Sequence, residues 1–113
     1  MPSSESVIKM EDKRFHLNWE MYNDHLRNML HNMMVSSELT DVTLVCEDKT
    51  QFKAHKFVLK ECSSVFKSII NTNQQNQSIF LRGIFAEEME SILQFIYLGS
   101  TTLSQVRMNE FLI

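Results

Sequence analysis

Six side chains are of types that do covalent or metal chemistry: the thiols of Cys46 and Cys62 and the imidazoles of His16, His25, His31 and His55. A structural zinc centre needs four such groups converging, and a sequence announces one through Cys-x-x-Cys or through two histidines four apart on one helix face. Neither spacing occurs, so a metal site would have to be assembled wholly by tertiary contact, and none is expected. A bend between His55 and Cys62 could set an imidazole beside a thiol as base to nucleophile. The other reading of that pair, and the one adopted, is a buried thiol and a helix-entry imidazole bonded to backbone that fixes the turn. With Gly83 and Gly99 as the only glycines, the chain holds no glycine-rich phosphate loop and no dinucleotide fingerprint. No catalytic residue, metal ligand or cofactor is assigned, and the expectation is a protein that is not an enzyme.

Asp41 and Lys56 stand apart, because both sit at ends of an apolar stretch where a charge is costly unless paired or solvated. One reading is a structural ion pair and strand cap.

The elements that must position these groups lie between Thr40 and Lys67. Val42, Leu44 and Cys46 alternate with Thr43, Val45 and Glu47, the chain turns through Asp48-Lys49, and Phe52 and Ala54 resume the alternation, which predicts a β-hairpin. From Lys56 the period changes. Phe57, Val58, Leu59, Cys62, Val65 and Phe66 follow helical spacings, so the hairpin runs straight into helix, with Ser63 capping a segment that reaches about Asn71 and turns Phe66, Ile69 and Ile70 inward.

On either side, the pattern is as readable. Residues 1–14 are polar and predict a disordered tail. Phe15 to Asn18 alternates as a short strand that needs a sheet edge to join, and that edge can belong to another molecule. A long amphipathic helix follows from Trp19, with Asn18 as N-cap, Glu20 in the first turn, and Trp19, Tyr22, Leu26, Met29, Leu30, Met33 and Met34 on one side. Asn71 to Ser78 reads as an exposed polar loop, and Ile79-Phe80-Leu81 as a buried strand. Glu87 to Leu98 is a second strong helix stopped by Gly99. Thr101-Thr102-Leu103 is a short strand, and Ser104 caps a last helix holding Met108, Phe111 and Leu112. The fold class is α+β, a helical cluster capped by a small sheet, with Leu44, Phe52, Leu59, Phe66, Ile92 and Phe95 as its expected core.

At 113 residues the chain predicts one domain, in a size range where marginal stability is often relieved by oligomerisation. Its net charge is −3 and no basic block exceeds two residues, so neither direct nucleic-acid contact nor membrane binding is expected. No apolar run has the length of a membrane span. The two cysteines, in unrelated contexts, read as reduced thiols of an intracellular protein.

Asp41-Val42, Ala54-His55-Lys56 and the run Leu59-Lys60-Glu61-Cys62-Ser63-Ser64-Val65-Phe66, in that order and spacing, resemble the BTB/POZ domain. Phe95, Tyr97 and Gly99 match its Phe-x-Tyr-x-Gly helix end. Phe15, Leu17, Trp19, Tyr22 and Leu26 further resemble the opening of the arthropod subclass named after Tramtrack, with Asn18 where a basic residue is common. The resemblance covers 15–113 and implies a C-terminally incomplete domain, because a final helical pair normally follows. It implies that Asp41 and Lys56 line a charged pocket at a dimer groove. It also implies a self-associating module of a nuclear transcription regulator, forming homodimers or higher oligomers, pairing with other BTB proteins and recruiting transcriptional co-regulators. The alternative use of the same fold is a substrate adaptor of a cullin-3 ubiquitin ligase, and the cytoplasm is then the alternative compartment. The short strand at Phe15 and Leu17 is expected to pair with Thr101, Thr102 and Leu103 of a second chain, with Trp19, Tyr22 and Leu26 packing near their counterparts.

Overall fold

The computed structural model describes residues 14–102. The expected tail before Arg14, the residue Leu103 and the helix beginning at Ser104 lie outside the described residues. The hairpin forms as its alternation dictates: β1 (Val42–Val45) pairs antiparallel with β2 (Gln51–Ala54), Val42 opposite Ala54 and Leu44 opposite Phe52. Cys46 closes the ladder by accepting from Lys49 N–H and donating to Thr50 C=O, at 2.9 and 2.8 Å. The three-residue loop between them carries Lys49 at φ 73°, the left-handed position that a type I turn plus bulge requires.

From Ala54 the chain enters α2 (Lys56–Cys62), breaks at Ser63, and continues as α3 (Ser64–Ile69). The break is a cap: Ser63 takes extended dihedrals and its Oγ accepts the Phe66 N–H at 3.2 Å. β3 (Gln77–Phe80) then pairs parallel with the far side of β1, Leu44 beside Ile79, giving the order β2-β1-β3. Because β2 and β3 flank β1 on opposite sides, α2 and α3 cross over the sheet between them, and Val42 and Leu44 are buried beneath. Finally, α4 (Ala86–Leu98) packs against α1 (Tyr22–Ser36) and α2. Glu88 reaches back to the Phe85 N–H at its start, and Gly99 at φ 82° ends it by donating to Phe95 C=O.

Leu44, Leu59, Phe66 and Ile92 are buried as expected. Phe52 is only half-buried against the core, and Phe95 is 37% exposed. Met89, Ile92, Leu93 and Ile96 define the inward stripe, and at about 100° per residue Phe95 and Tyr97 flank it on opposite sides; the Tyr97 flank is covered, its hydroxyl meeting the His55 ring and main chain, whereas the Phe95 flank is open. Tyr97 holds the core position instead. Phe57, Ile69 and Phe80 are likewise outside, and β3 is an edge strand rather than a buried one, with Leu81 just past its end reaching the core. The first long helix begins at Tyr22 instead of Trp19; Asn18 does not cap it, no side chain caps Met21, and Asp24 is the acid in its first turn. The Tyr22 N–H goes to Trp19 C=O at 3.2 Å, a turn that precedes the helix.

Chemical denaturation should separate the two phenylalanines. Phe66→Ala should cost about 3–5 kcal/mol through lost transfer energy plus a cavity, and Phe95→Ala about 1 kcal/mol or less. Equal losses would show that Phe95 is core.

Candidate functional site

The β2–α2 junction gathers the polar side chains. His55 is buried, and each of its ring nitrogens has a partner: Nε2 meets the Glu38 carbonyl at 2.6 Å and Nδ1 the Tyr97 hydroxyl at 2.7 Å. A carbonyl only accepts, so Nε2 carries the hydrogen and Nδ1 accepts from Tyr97, whose oxygen in turn accepts the His55 main-chain N–H at 3.0 Å. An imidazole committed on both sides cannot serve Cys62 as a base. Burial raises the Cys62 thiol, with Glu61 adding to it, and burial followed by Asp48 and Glu88 raises Cys46, so both sulfurs are held away from the thiolate form. Among the described residues no group of three His, Cys, Asp or Glu side chains could hold a metal, and no helix is long and apolar enough to cross a membrane.

Asp41 and Lys56 are brought together, but not as an ion pair. Asp41 Oδ1 accepts the main-chain N–H of Lys56 at 2.7 Å, capping the first residue of α2. Lys56 is 4% exposed, and its Nζ donates instead to the carbonyls of Asn71, at 2.7 Å, and Gln74. The polar stretch after α3 is therefore wound around a buried amine. Gln77 completes it, accepting the Asn71 N–H at 2.9 Å and donating to Ile69 C=O at 3.2 Å.

A second surface lies along α1. None of its fifteen residues is buried, although Leu26, Leu30, Met33 and Met34 are half-buried. Phe15 and Leu17 are 78% and 87% exposed, and the segment before Tyr22 has no strand structure and joins no strand of its own chain. The expected strand has no edge to pair with here, and four residues cannot hold an isolated one. Trp19 is half-exposed and clusters with Tyr22, edge-on at 5.2 Å between centroids, and with His25 at 4.8 Å. Thr101 and Thr102 are not strand either; Thr101 Oγ1 donates to Gln94 Oε1 at 3.1 Å. A cleft of about 430 Å³ opens beside α1, lined by His25, Met29, Met33 and Leu39 among others.

The role of Tyr97 escaped the sequence reading, although its place on the α4 stripe was visible in the spacing from Leu93. Burial pushes its hydroxyl up to about 12, against the His55 N–H, with Asp41 and Cys62 adding to the rise. The folded state thus holds this proton to higher pH than the unfolded chain, whose phenol titrates near 10. That contribution to stability is complete below about pH 10 and is lost as pH rises from about 10 to about 12. In denaturation measured across this range, Tyr97→Phe should show a shallower decline than the parent chain. At neutral pH it should be less stable by about 1–3 kcal/mol, because the His55 N–H loses its acceptor.

The BTB/POZ domain model matches residues 30–113. Among curated proteins of Drosophila melanogaster, Longitudinals lacking protein-like is 33% identical over 102 residues, covering 89% of this chain and 80% of that protein. Sex determination protein fruitless is 35% identical over 89% of this chain, and Protein tramtrack, alpha isoform, 31% over 93%. The chain spans only 11% and 13% of those two proteins' lengths. Among solved structures, the BTB domain of zebrafish PATZ1 superposes with a TM-score of 0.66 at 21% identity, over 79% of this chain and 73% of that one. With the hairpin, the capped helix pair and the α1–α4 packing in place, the chain belongs to the BTB/POZ family, in its Tramtrack-type subclass.

Proposed function

We propose that this domain is a self-association module of a nuclear transcription regulator. It forms homodimers, pairs with other BTB proteins and recruits co-regulators, while other parts of such a regulator contact DNA. The observation that carries the reading is α1: a fifteen-residue helix with no buried residue, preceded by exposed Phe15, Leu17 and Trp19. Apolar surface of this extent is costly in water and marks an interface. In the dimer, Phe15 and Leu17 pair as an exchanged strand with Thr101 to Leu103 of the second chain, and Trp19, Tyr22 and Leu26 pack beside their counterparts. The domain itself begins at Phe15. Deleting residues 1–18 should weaken association at least tenfold by analytical ultracentrifugation; an unchanged dimer would reject the exchange.

Asp41 and Lys56 would serve recruitment in different ways. Half-buried Asp41 presents the charge, and Lys56 shapes the loop beside it. Because Asp41 bonds a main-chain N–H rather than the lysine amine, asparagine can replace it as a cap. Asp41→Asn should then melt within a few degrees of the parent yet lose activity in a transcription reporter assay. Unfolding of this variant would make Asp41 a structural residue alone.

A further inference from the structure

β3 is the outermost strand of the sheet, and its chemistry differs from that of an ordinary edge. Leu81 donates its N–H to Val45 at 2.8 Å. By the two-residue alternation of a parallel ladder, Gln77 and Ile79 share that orientation, and Ser78 and Phe80 turn their N–H and C=O groups to the open side. No hydrogen bond of the described residues engages those outward groups. Edge strands are normally guarded by lysine, proline or a bulge. β2, at the other edge, carries exposed Lys53. From Ser68 to Leu81, however, there is no charged residue, no proline and no glycine, in a chain that is 22% charged. Phe80, on the same side as exposed Ser78, is 52% exposed.

We propose that the outer edge of β3 is a second self-association surface, at which two copies of this chain pair antiparallel about Ile79. The segment is complementary to itself in this register. A two-fold axis at Ile79 sets Ser78 opposite Phe80 of the second copy and Phe80 opposite its Ser78, and these are the residues whose backbone groups point outward, so four N–H to C=O bonds close. Arg82 falls opposite Asn76 of the second copy, and no like charges meet. The sheet becomes continuous across the axis, with six strands. The contact goes beyond the α1 dimer: where that dimer forms, each of its protomers still offers one β3 edge, and pairing joins dimers into larger assemblies.

The register dictates the experiment, sedimentation velocity of the full chain over a concentration series. Two double variants, Ser78→Lys with Phe80→Lys and Ser78→Glu with Phe80→Glu, each set like charges directly opposite one another. Each alone should lose the larger species, with association weakened more than tenfold, and an equimolar mixture of the two should regain it. Unchanged association in both variants, or no recovery in the mixture of folded variants, overturns the pairing. Amide exchange on the unaltered chain decides the matter even where the variants do not fold. Ser78 and Phe80 amides should slow more than tenfold between dilute and concentrated samples, and rates independent of concentration overturn the proposal. Repeating the exchange series without residues 1–18 separates this edge from the α1 interface, since protection at β3 should survive that deletion.

Discussion

Two adjacent residues, His55 and Lys56, hold three other pieces of chain in register. The imidazole joins the turn before β1, through Glu38, to α4, through Tyr97. The next residue gives its N–H to Asp41 and its amine to the loop after α3. All of these groups are buried or partly buried, where an unmade hydrogen bond costs far more than a made one contributes. The junction therefore acts as an all-or-none constraint: a shift of α4 or of the loop that broke one bond would leave polar atoms stranded in the core. This explains why a helix can follow β2 with no linker. The backbone groups exposed at the helix start are met by side chains that arrive from elsewhere.

The hairpin supplies such groups from both its ends. Asp41, just before β1, caps Lys56 at the start of α2, and Asp48, in the loop between the strands, accepts from Ala86 at the start of α4 at 3.2 Å. Desolvation opposes ionisation of Asp48, but the hydrogen bonds from Ala86 and Thr50 together outweigh it and hold the carboxyl below its usual value. Glu47 adds a bond to the Gly83 N–H at 2.7 Å, and its own N–H goes to Ile84 C=O. One short hairpin thus positions the start of two helices that are distant in sequence, and each carboxylate meets a helix end whose dipole favours it.

The local features were legible because local chemistry decides them. The alternation of Val42, Leu44 and Cys46 gave the hairpin, Ser63 gave the helix break, and Gly99 gave the stop, each through a preference that acts within a few residues. His55 was read as an imidazole fixing the turn, and it does so. What the sequence hid was of two kinds. Phase errors put Phe95 inside and overlooked Tyr97, because hydrophobicity alone does not distinguish a flank of a helix from its buried stripe. Long-range partners were invisible: nothing in the spacing of Asp41 and Lys56 shows that the carboxylate would take the backbone N–H while the amine reached carbonyls fifteen and more residues away. The start of α1 was misplaced because Asn18 has the side chain of an N-cap, whereas the turn at Trp19 delays the helix by a full turn.

The distribution of polar groups bears on what such a molecule can do. His55, Tyr97, Lys56, Asp41, Glu47 and Asp48 all have partners within the chain, and the two thiols are held protonated by burial and nearby carboxylates. These six side chains are thus engaged in fixing elements against one another. Apolar groups also stand exposed at the surface: Phe15, Leu17, Trp19 and Met29 along one helix and its approach, and Phe80 beside an open strand edge. Apolar area and open backbone groups both lower their free energy by meeting a second surface. With a closed apolar core and, beyond it, exposed aromatics and an open strand edge, the domain presents surfaces suited to association.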